Sequence, residues 1–353
     1  MTSEPHGPRP AHGPRPTLEA VAARAGVSRA TVSRVVNGGT GVRAAVRERV
    51  RQAVAELGYV PNSAARSLVT RRTGAVAVII AEPETRVFSD PFFGRQLRGI
   101  SRELSAADTQ LLLLFVDHRD DYDRIGRYLA AGHVDGALMF SLHGDGPLPA
   151  MAERAGLPTV YGGRPGWPGA DREPRPLYVD TDNRDGARQA VRHLLARGRR
   201  RIAVITGPLD QTSAVDRLDG YRDALGTADP DPHLIADGRF TAQGGEHAMA
   251  QLLDAAPDLD AVFACSDLMA NGALRTLRAH GRRVPHDVAV VGYDDLEPAA
   301  WADPPLTTVR QDVEEMGRLM ARLLLGRLGI RETESGDLTP VIMEARLVVR
   351  ESG

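Results

Sequence analysis

From residue 74 onward short apolar runs alternate with stretches of helical periodicity, and this alternation limits the fold more than any other feature of the chain. Residues 75–81, 111–116, 136–140, 202–206, 261–265 and 288–293 are the clearest runs. Continuous apolar runs separated by helices predict parallel strands, because a parallel sheet is covered on both faces. Residues 74–353 are too many for one doubly wound sheet of ordinary size, so two α/β lobes are expected. The boundaries read from the sequence put 74–196 with 313–339 in the first lobe and 197–310 with 340–353 in the second. Ligands of open α/β sheets bind beyond the carboxyl ends of the strands, which here means the cleft between the lobes. The stretch 162–176, rich in Pro and Gly, is expected to be an exposed loop.

The first 73 residues have a different character. They hold 12 Arg against 4 Glu and no Asp, a balance of +8, while the remainder carries 32 basic and 42 acidic side chains, or −10. A basic head on an acidic body points to a polyanionic partner at one end. Residues 1–16 contain HGPRP twice and little that could be buried, which reads as a disordered tail. Residues 17–60 then turn helical: Leu18, Val21, Ala22 and Ala25, next Val32 and Val36, and finally Val46, Val50, Val54 and Leu57 recur at helical spacing. The stretch 17–37, TLEAVAARAGVSRATVSRVVN, has the form of a helix-turn-helix. Thr17 can cap the first helix, Gly26 permits the turn, and Ser28 can cap the second. Arg29, Ala30, Ser33 and Arg34 are the early exposed positions of that second helix, the ones able to reach base edges in a major groove.

Several function classes fall away. No run of about 18 apolar residues is available to span a membrane. The N-terminus lacks a basic-then-apolar export pattern, and Cys265 alone cannot form an internal disulfide, so a cytoplasmic protein is expected. All 44 basic residues are Arg, which excludes a P-loop or Schiff-base lysine. No G-x-S-x-G, H-E-x-x-H or G-x-G-x-x-G motif is present, so no catalytic residue, metal site or cofactor is assigned and an enzyme is not expected. A sugar-transport binding protein would share two lobes but would need an export signal and no basic head.

Residues 27–38, VSRATVSRVVNG, followed by 55–68, AELGYVPNSAARSL, resemble the head-and-hinge signature of the LacI/GalR family of regulators, and the resemblance runs through almost the whole chain from Thr17. It implies an α/β, two-lobed body like that of periplasmic binding proteins, with a small all-α helix-turn-helix head. By position, Arg29 and Ala30 match the residues that choose the operator, and Thr31, Ser33, Arg34 and Asn37 match contacts to bases or phosphates. An Arg at position 29 suits the O6 and N7 of guanine. Arg43 stands where the family often has a capping Ser or Thr, and Val46 replaces a commonly polar residue.

Residues 61–73 read as hinge and linker. Asn62 is a start signal, Ala64 and Ala65 favour helix, and Leu68 sits at the end. A helix over 62–68 is far below the ~12 residues an isolated helix needs in water, so it is expected to order only on specific DNA in a dimer. Leu68 can pack on the neighbouring lobe; the resemblance instead makes it the wedge that opens the central base step from the minor groove.

In the body, Gly292 to Asp295, Ser266 with Asp267, and residues 207–217, GPLDQTSAVDR, all follow strands where the cleft should be. Carboxylate acceptors and a guanidinium donor there suit a polyhydroxylated ligand. By resemblance Asp185, Arg217, Ser266, Asp294 and Gln311 match effector contacts, and Phe240 and Trp301 occupy places where apolar groups flank the ligand. Ser266 departs from the Asn of the best-known sugar-responsive members. The run 82–93, EPETRVFSDPFF, is expected on the opposite lobe, with Phe92 and Phe93 either in the core or stacked on a sugar ring. Expected partners are double-stranded operator DNA, a second copy of the chain and a small effector, either a sugar that releases DNA or a nucleobase-like co-repressor that tightens it. A dyad reads a palindrome, and only three residues follow Arg350, so a dimer without a C-terminal tetramerising heptad helix is expected.

Overall fold

The structure is a computed structural model that describes residues 16–36, 39–60, 72–144, 146–172, 175–331 and 338–353. The chain divides into two compact units, 1–73 and 74–353.

In the first unit, α1 (Leu18–Ala25) is capped by Thr17, whose hydroxyl accepts from the Ala20 N–H at 3.3 Å. It stops at Gly26, whose φ of +64° is the left-handed conformation that frees the chain to turn. Helix α2 (Arg29–Val36) follows, then α3 (Ala44–Leu57). Val21, Ala22, Ala25, Val32, Val50, Ala53 and Tyr59 make the core. Val46, in the first turn of α3, is only half-buried, and Ala53 and Tyr59 take the inward places beside Val50. Arg43 precedes α3 without a side-chain cap, so the departure from a capping Ser or Thr leaves that helix end to its backbone alone.

The second unit has two six-stranded sheets. In chain order its elements are β1 (Ala75–Ile80), α4 (Glu84–Ser89), α5 (Pro91–Ala106), β2 (Gln110–Phe115), α6 (Arg119–Ala130), β3 (Gly136–Phe140), α7 (Leu148–Arg154), β4 (Thr159–Gly162), β5 (Leu177–Thr181), α8 (Asn183–Ala196), β6 (Ile202–Thr206), α9 (Thr212–Leu225), β7 (Ile235–Asp237), α10 (Ala242–Ala255), β8 (Ala261–Ala264), α11 (Asp267–Ala279), β9 (Ala289–Asp294), α12 (Glu297–Ala300), β10 (Thr307–Arg310), α13 (Val313–Arg327), β11 (Val341–Met343) and β12 (Arg346–Val348). The first sheet runs β11-β5-β4-β3-β1-β2 and the second β12-β10-β9-β8-β6-β7. Every pairing is parallel except β10 with β12. The six apolar runs become β1, β2, β3, β6, β8 and β9; all but β2, a half-buried edge strand, are buried by helices on both faces. No helix among the described residues is long and apolar enough to cross a membrane.

The lobe boundaries differ from the sequence reading in two places. Helix α8 belongs to the second lobe, where Ala187, Ala190, Val191 and Leu194 enter the core. It packs so closely on α9 that a Cβ at Gly220 would lie 2.2 Å from the Arg184 carbonyl oxygen. Strand β11 belongs to the first sheet, paired with β5 in the register Val341↔Val179. Three residues carry too little pattern to say which sheet they join. The chain therefore changes lobe three times, after β5, β10 and β11. These crossovers are bound together, since the Asp182 N–H donates to the Met343 carbonyl at 2.8 Å and the Thr181 hydroxyl to Gln311 Oε1 at 3.1 Å.

Candidate functional site

In the first unit, buried Val32 anchors α2 and turns its opposite side outward. Arg29, Ala30 and Arg34 are exposed there, with Thr31 and Ser33 half-buried beside them. Ser28 Oγ accepts from the Thr31 N–H at 3.2 Å and lies 2.9 Å from Thr31 Oγ1, so the two hydroxyls fix each other at the start of the helix. Arg29 Nε is 3.1 Å from Glu19 Oε1, and both side chains are mostly exposed, a pair that DNA can replace at little cost. Asn37, Asn62, Ala65 and Leu68 lie outside the described residues.

In the second unit a cavity of about 1000 Å³, its mouth included, lies between the lobes at the carboxyl ends of the strands. Arg217, on α9, is its hub. The side chain is 6% exposed; Nε donates to Asn183 Oδ1 at 2.9 Å, Nη1 donates to the Cys265 carbonyl at 2.5 Å, and Asp294 Oδ1 is 3.6 Å away. The guanidinium also lies 3.7 Å from the Tyr293 ring centre and 5.7 Å from that of Phe240. Gln311 Nε2 donates to Asp294 Oδ1 at 2.6 Å, so the carboxylate is held from two sides.

The end of β9 explains how two adjacent aspartates take different jobs. Asp294 has φ +113° and Asp295 φ +52°, both in the region that L-residues rarely adopt. The bend turns Asp294 into the cleft and Asp295 away from it, where its largely buried carboxylate is reached by Arg310 and Arg350, each at 2.6 Å. Burial raises the Asp294 carboxyl to about 7 against the pull of Arg217. Burial also pushes Asp267 well up, and its two oxygens accept from the Thr308 hydroxyl at 2.5 Å and the Leu296 N–H at 2.8 Å. Asp267 is thus a brace for the loop after β9.

Five of the seven residues proposed as effector contacts from sequence come together here: Arg217, Phe240, Ser266, Asp294 and Gln311 all line the cleft. Ser266 lines it while its hydroxyl caps α11, accepting from the Met269 N–H at 3.2 Å. Asp185 does not line it. Its carboxylate is taken by Arg188 at 2.9 Å and Gln189 at 2.7 Å along α8, and the inward residue is Asn183, two positions earlier and about 200° round the helix. Trp301 does not line it either; at the end of α12 it is 80% exposed, in a shallow groove with Pro91, Arg95 and Arg98.

The first lobe supplies the facing wall. Phe93 is both core and wall, 2% exposed and stacked on Phe140 at 6.2 Å; Phe92 meets its edge at 5.5 Å. The loop after β4 folds over the cleft, where Trp167 packs on Tyr161 at 4.8 Å and Arg164 and Gly166 reach the lining, so its first part, 162–167, is more than an exposed connection. Asp90 caps α5 and is itself raised by burial. Gln96, 1% exposed, donates to the Met320 sulfur at 3.3 Å, and its Oε1 has no hydrogen-bond partner among the described residues. Sequence reasoning missed Asn183, Gln96 and Trp167, and placed Asp90 only as part of the run 82–93 expected on the facing lobe. Asn183 could have been found from its place just inside an Asp cap; the others carry no motif.

Residues 17–62 match the model for bacterial regulatory proteins of the lacI family, and 191–353 match the periplasmic binding protein-like domain. The chain is 53% identical over 342 residues to the HTH-type transcriptional regulator CelR of Thermobifida fusca, covering 96% of this chain and 98% of that protein. The chain belongs to the LacI family. It is also 34% identical to the ribose operon repressor of Escherichia coli (strain K12) over 336 residues, 93% of this chain and 98% of that one. Among solved structures it resembles a transcriptional regulator CelR–cellobiose complex, with 49% identity, TM-score 0.74 and coverage of 96% and 100%. It also resembles the lac repressor dimer bound to operator and the anti-inducer ONPF, with 28% identity, TM-score 0.82 and coverage of 96% and 99%. This LacI-family chain is therefore a DNA-binding transcriptional regulator and not an enzyme.

Proposed function

We propose that this regulator represses transcription as a cytoplasmic, nucleoid-associated dimer on a palindromic operator, and that a β-linked gluco-oligosaccharide of the size of cellobiose releases it. The observation that carries the reading is the pairing, in one cleft, of a fixed polar wall of Arg217, Asn183, Asp294 and Gln311 with an aromatic wall of Phe93, Phe140 and Trp167. A pyranose offers the complement of both: hydroxyls at its edge for charged donors and acceptors, and C–H faces for aromatic rings. A nucleobase lacks that rim of hydroxyls. Likeness to a regulator seen with cellobiose supports the choice of sugar, and likeness to a repressor seen as a dimer on operator supports the assembly.

In this reading Arg29, Ala30, Ser33 and Arg34 face the bases, while Thr17, Ser28 and Thr31 hold the helix ends against the backbone. Closure of the lobes on sugar shifts the dimer and spoils the paired placement of the heads. Reciprocity requires operator to weaken sugar binding by the same factor. The test is operator binding followed by fluorescence anisotropy while cellobiose, glucose and purines are titrated. Weakened binding with cellobiose is expected; tighter binding with a purine and none of this effect with sugar would overturn the proposal.

A further inference from the structure

Far from the crossovers, a polar cluster joins the lobes, and three of its members, Ser141, Asp210 and Gln211, also line the cleft. Glu82 follows β1, Ser141 and His143 follow β3, and Asp210 and Gln211 follow β6. In the second sheet β6 stands three strands from β10, and in the first sheet β1 stands three strands from β5. The cluster therefore closes the cleft at the edge opposite the crossovers.

His143 is its centre. Nε2 lies 3.1 Å from Glu82 Oε1 in its own lobe, and Nδ1 lies 3.0 and 3.1 Å from the two Asp210 oxygens in the other. Ser141 donates to Glu82 at 2.6 Å, Arg86 reaches its second oxygen at 2.6 Å, and the Gly144 N–H donates to the Asp210 carbonyl at 2.9 Å. A protonated ring donates to both carboxylates, across the lobes through Nδ1 and within its own lobe through Nε2, whereas a neutral ring keeps one of these bonds and at Nε2 can only accept, as from the Gln211 amide. Gln211 Nε2 donates to Glu82 Oε1 at 3.2 Å and lies 2.9 Å from the ring Nε2, to which it can also donate when the ring is neutral. The charged groups facing the cluster are Glu82, Asp210 and Arg86, with Asp90 close enough to feel Glu82 and Tyr122 of α6 beside His143 in a small adjoining recess. One arginine against these carboxylates leaves a deficit of positive charge that a protonated ring fills.

We propose that His143 is the positioning residue that latches the two lobes shut, and that the latch is tightest while its ring is protonated and bonded to a carboxylate in each lobe, so the regulator keeps its effector more weakly as pH rises. This rests on the cleft being the effector site. The hydrogen bond with Glu82, then the charges of Glu82 and Asp210, raise the His143 pKa in the closed form against the cost of burial. Opening removes Asp210 and Gln211 and lowers it. A group whose pKa is higher in the closed state favours closure fully below its open-state value and loses that effect as pH rises through the closed-state value. Each unit of difference between the two is about a tenfold change in effector affinity. The Arg164–Asp216 pair, at 2.7 Å, also joins the lobes, and Asp294, raised by burial to about 7, titrates within the cleft, so the part that belongs to His143 is the part lost in His143→Gln.

Two measurements on the full chain test this. The first places spin labels at Ala130→Cys in the first lobe and Ala279→Cys in the second, Cys265 being buried, and reads their separation without ligand. A shorter separation at about pH 6 than at about pH 8.5 is expected, with the dependence lost in His143→Gln; the same pH response in both proteins would overturn the latch. The second is calorimetry with cellobiose in buffers of different ionisation heat, where the wild type is expected to take up a proton on binding and His143→Gln to take up fewer. Superimposable pH profiles sink the latch alone. If the labels respond as expected but cellobiose gives no heat at any pH, the sugar reading fails and the latch stands.

Discussion

The guanidinium of Arg217 is held between consecutive residues of one strand end, 3.7 Å from the centre of the Tyr293 ring and 3.6 Å from the carboxylate of Asp294. Neighbours on a regular strand point to opposite faces and could not both reach it. The positive φ of Asp294 bends the chain so that they do. Arg217 is thereby ordered before any ligand arrives, and binding need not immobilise a long side chain.

Arg217→Ala should leave a regulator that holds its operator and ignores sugar. Hydrogen bonds to a charged group contribute about 1.5–3 kcal/mol, so effector affinity is expected to fall roughly 10- to 150-fold. Operator affinity should stay within a few-fold of the wild type. Anisotropy with and without cellobiose checks both; retained release by sugar would remove Arg217 from the site.

Gln96→Leu separates binding from stability. Its buried, unpartnered oxygen is a cost to the folded protein that a sugar hydroxyl can relieve. The variant is expected to melt no lower than the wild type, yet to bind cellobiose about tenfold more weakly. A drop in melting temperature with unchanged affinity would make Gln96 a packing residue only.

Arg29→Ala should cost about 1–3 kcal/mol at one base position and relax selection there, as read from duplexes recovered from a random pool. Glu19→Ala, which frees Arg29 from an exposed pair, should leave the melting temperature close to that of the wild type. Uniform weakening on every sequence by Arg29→Ala would mark it as a phosphate contact instead.

Glu103, only slightly exposed, gathers Arg331 at 2.7 Å, Arg322 at 2.9 Å and Arg318 at 3.3 Å from α13 and the segment after it. The arginines lower its pKa against the effect of burial. A carboxyl lowered in the folded state adds stability above its unfolded value near 4.3, and loses it as pH falls through the folded value. Glu103→Gln should therefore destabilise by about 1–2 kcal/mol at neutral pH, a difference that narrows in acid. Urea melts at pH 7 and pH 3 measure it; an equal difference at both would assign the loss to packing.

Much of this was legible from residue patterns. Long apolar strands such as 75–80 and 289–294 have no other stable place than a double-covered sheet, and Thr17, Gly26 and Ser28 mark the head's helix ends. The short strands β7, β10, β11 and β12 were not, because three or four residues show no periodicity. Arg217, Asp294 and Gln311 could be anticipated from their places after strands and by resemblance. Asp185 failed for a geometric reason: on a helix, two positions decide between the cleft and solvent. Trp301 failed because an aromatic just after a strand loop can turn outward when the helix that carries it is a single turn. Gln96 against Met320 and the His143 cluster join residues distant in sequence, invisible until the sheets are assembled.

The three neighbouring crossovers have a mechanical meaning. Tethers after β5, β10 and β11, tied by Asp182 to Met343 and Thr181 to Gln311, act like the knuckles of a door hinge. Sliding or twisting would stretch at least one of them, leaving a swing about a single line as the easy motion. Whatever sugar occupies the cleft can then only choose an angle along that swing, and a message carried to the DNA-reading end has one dial rather than many.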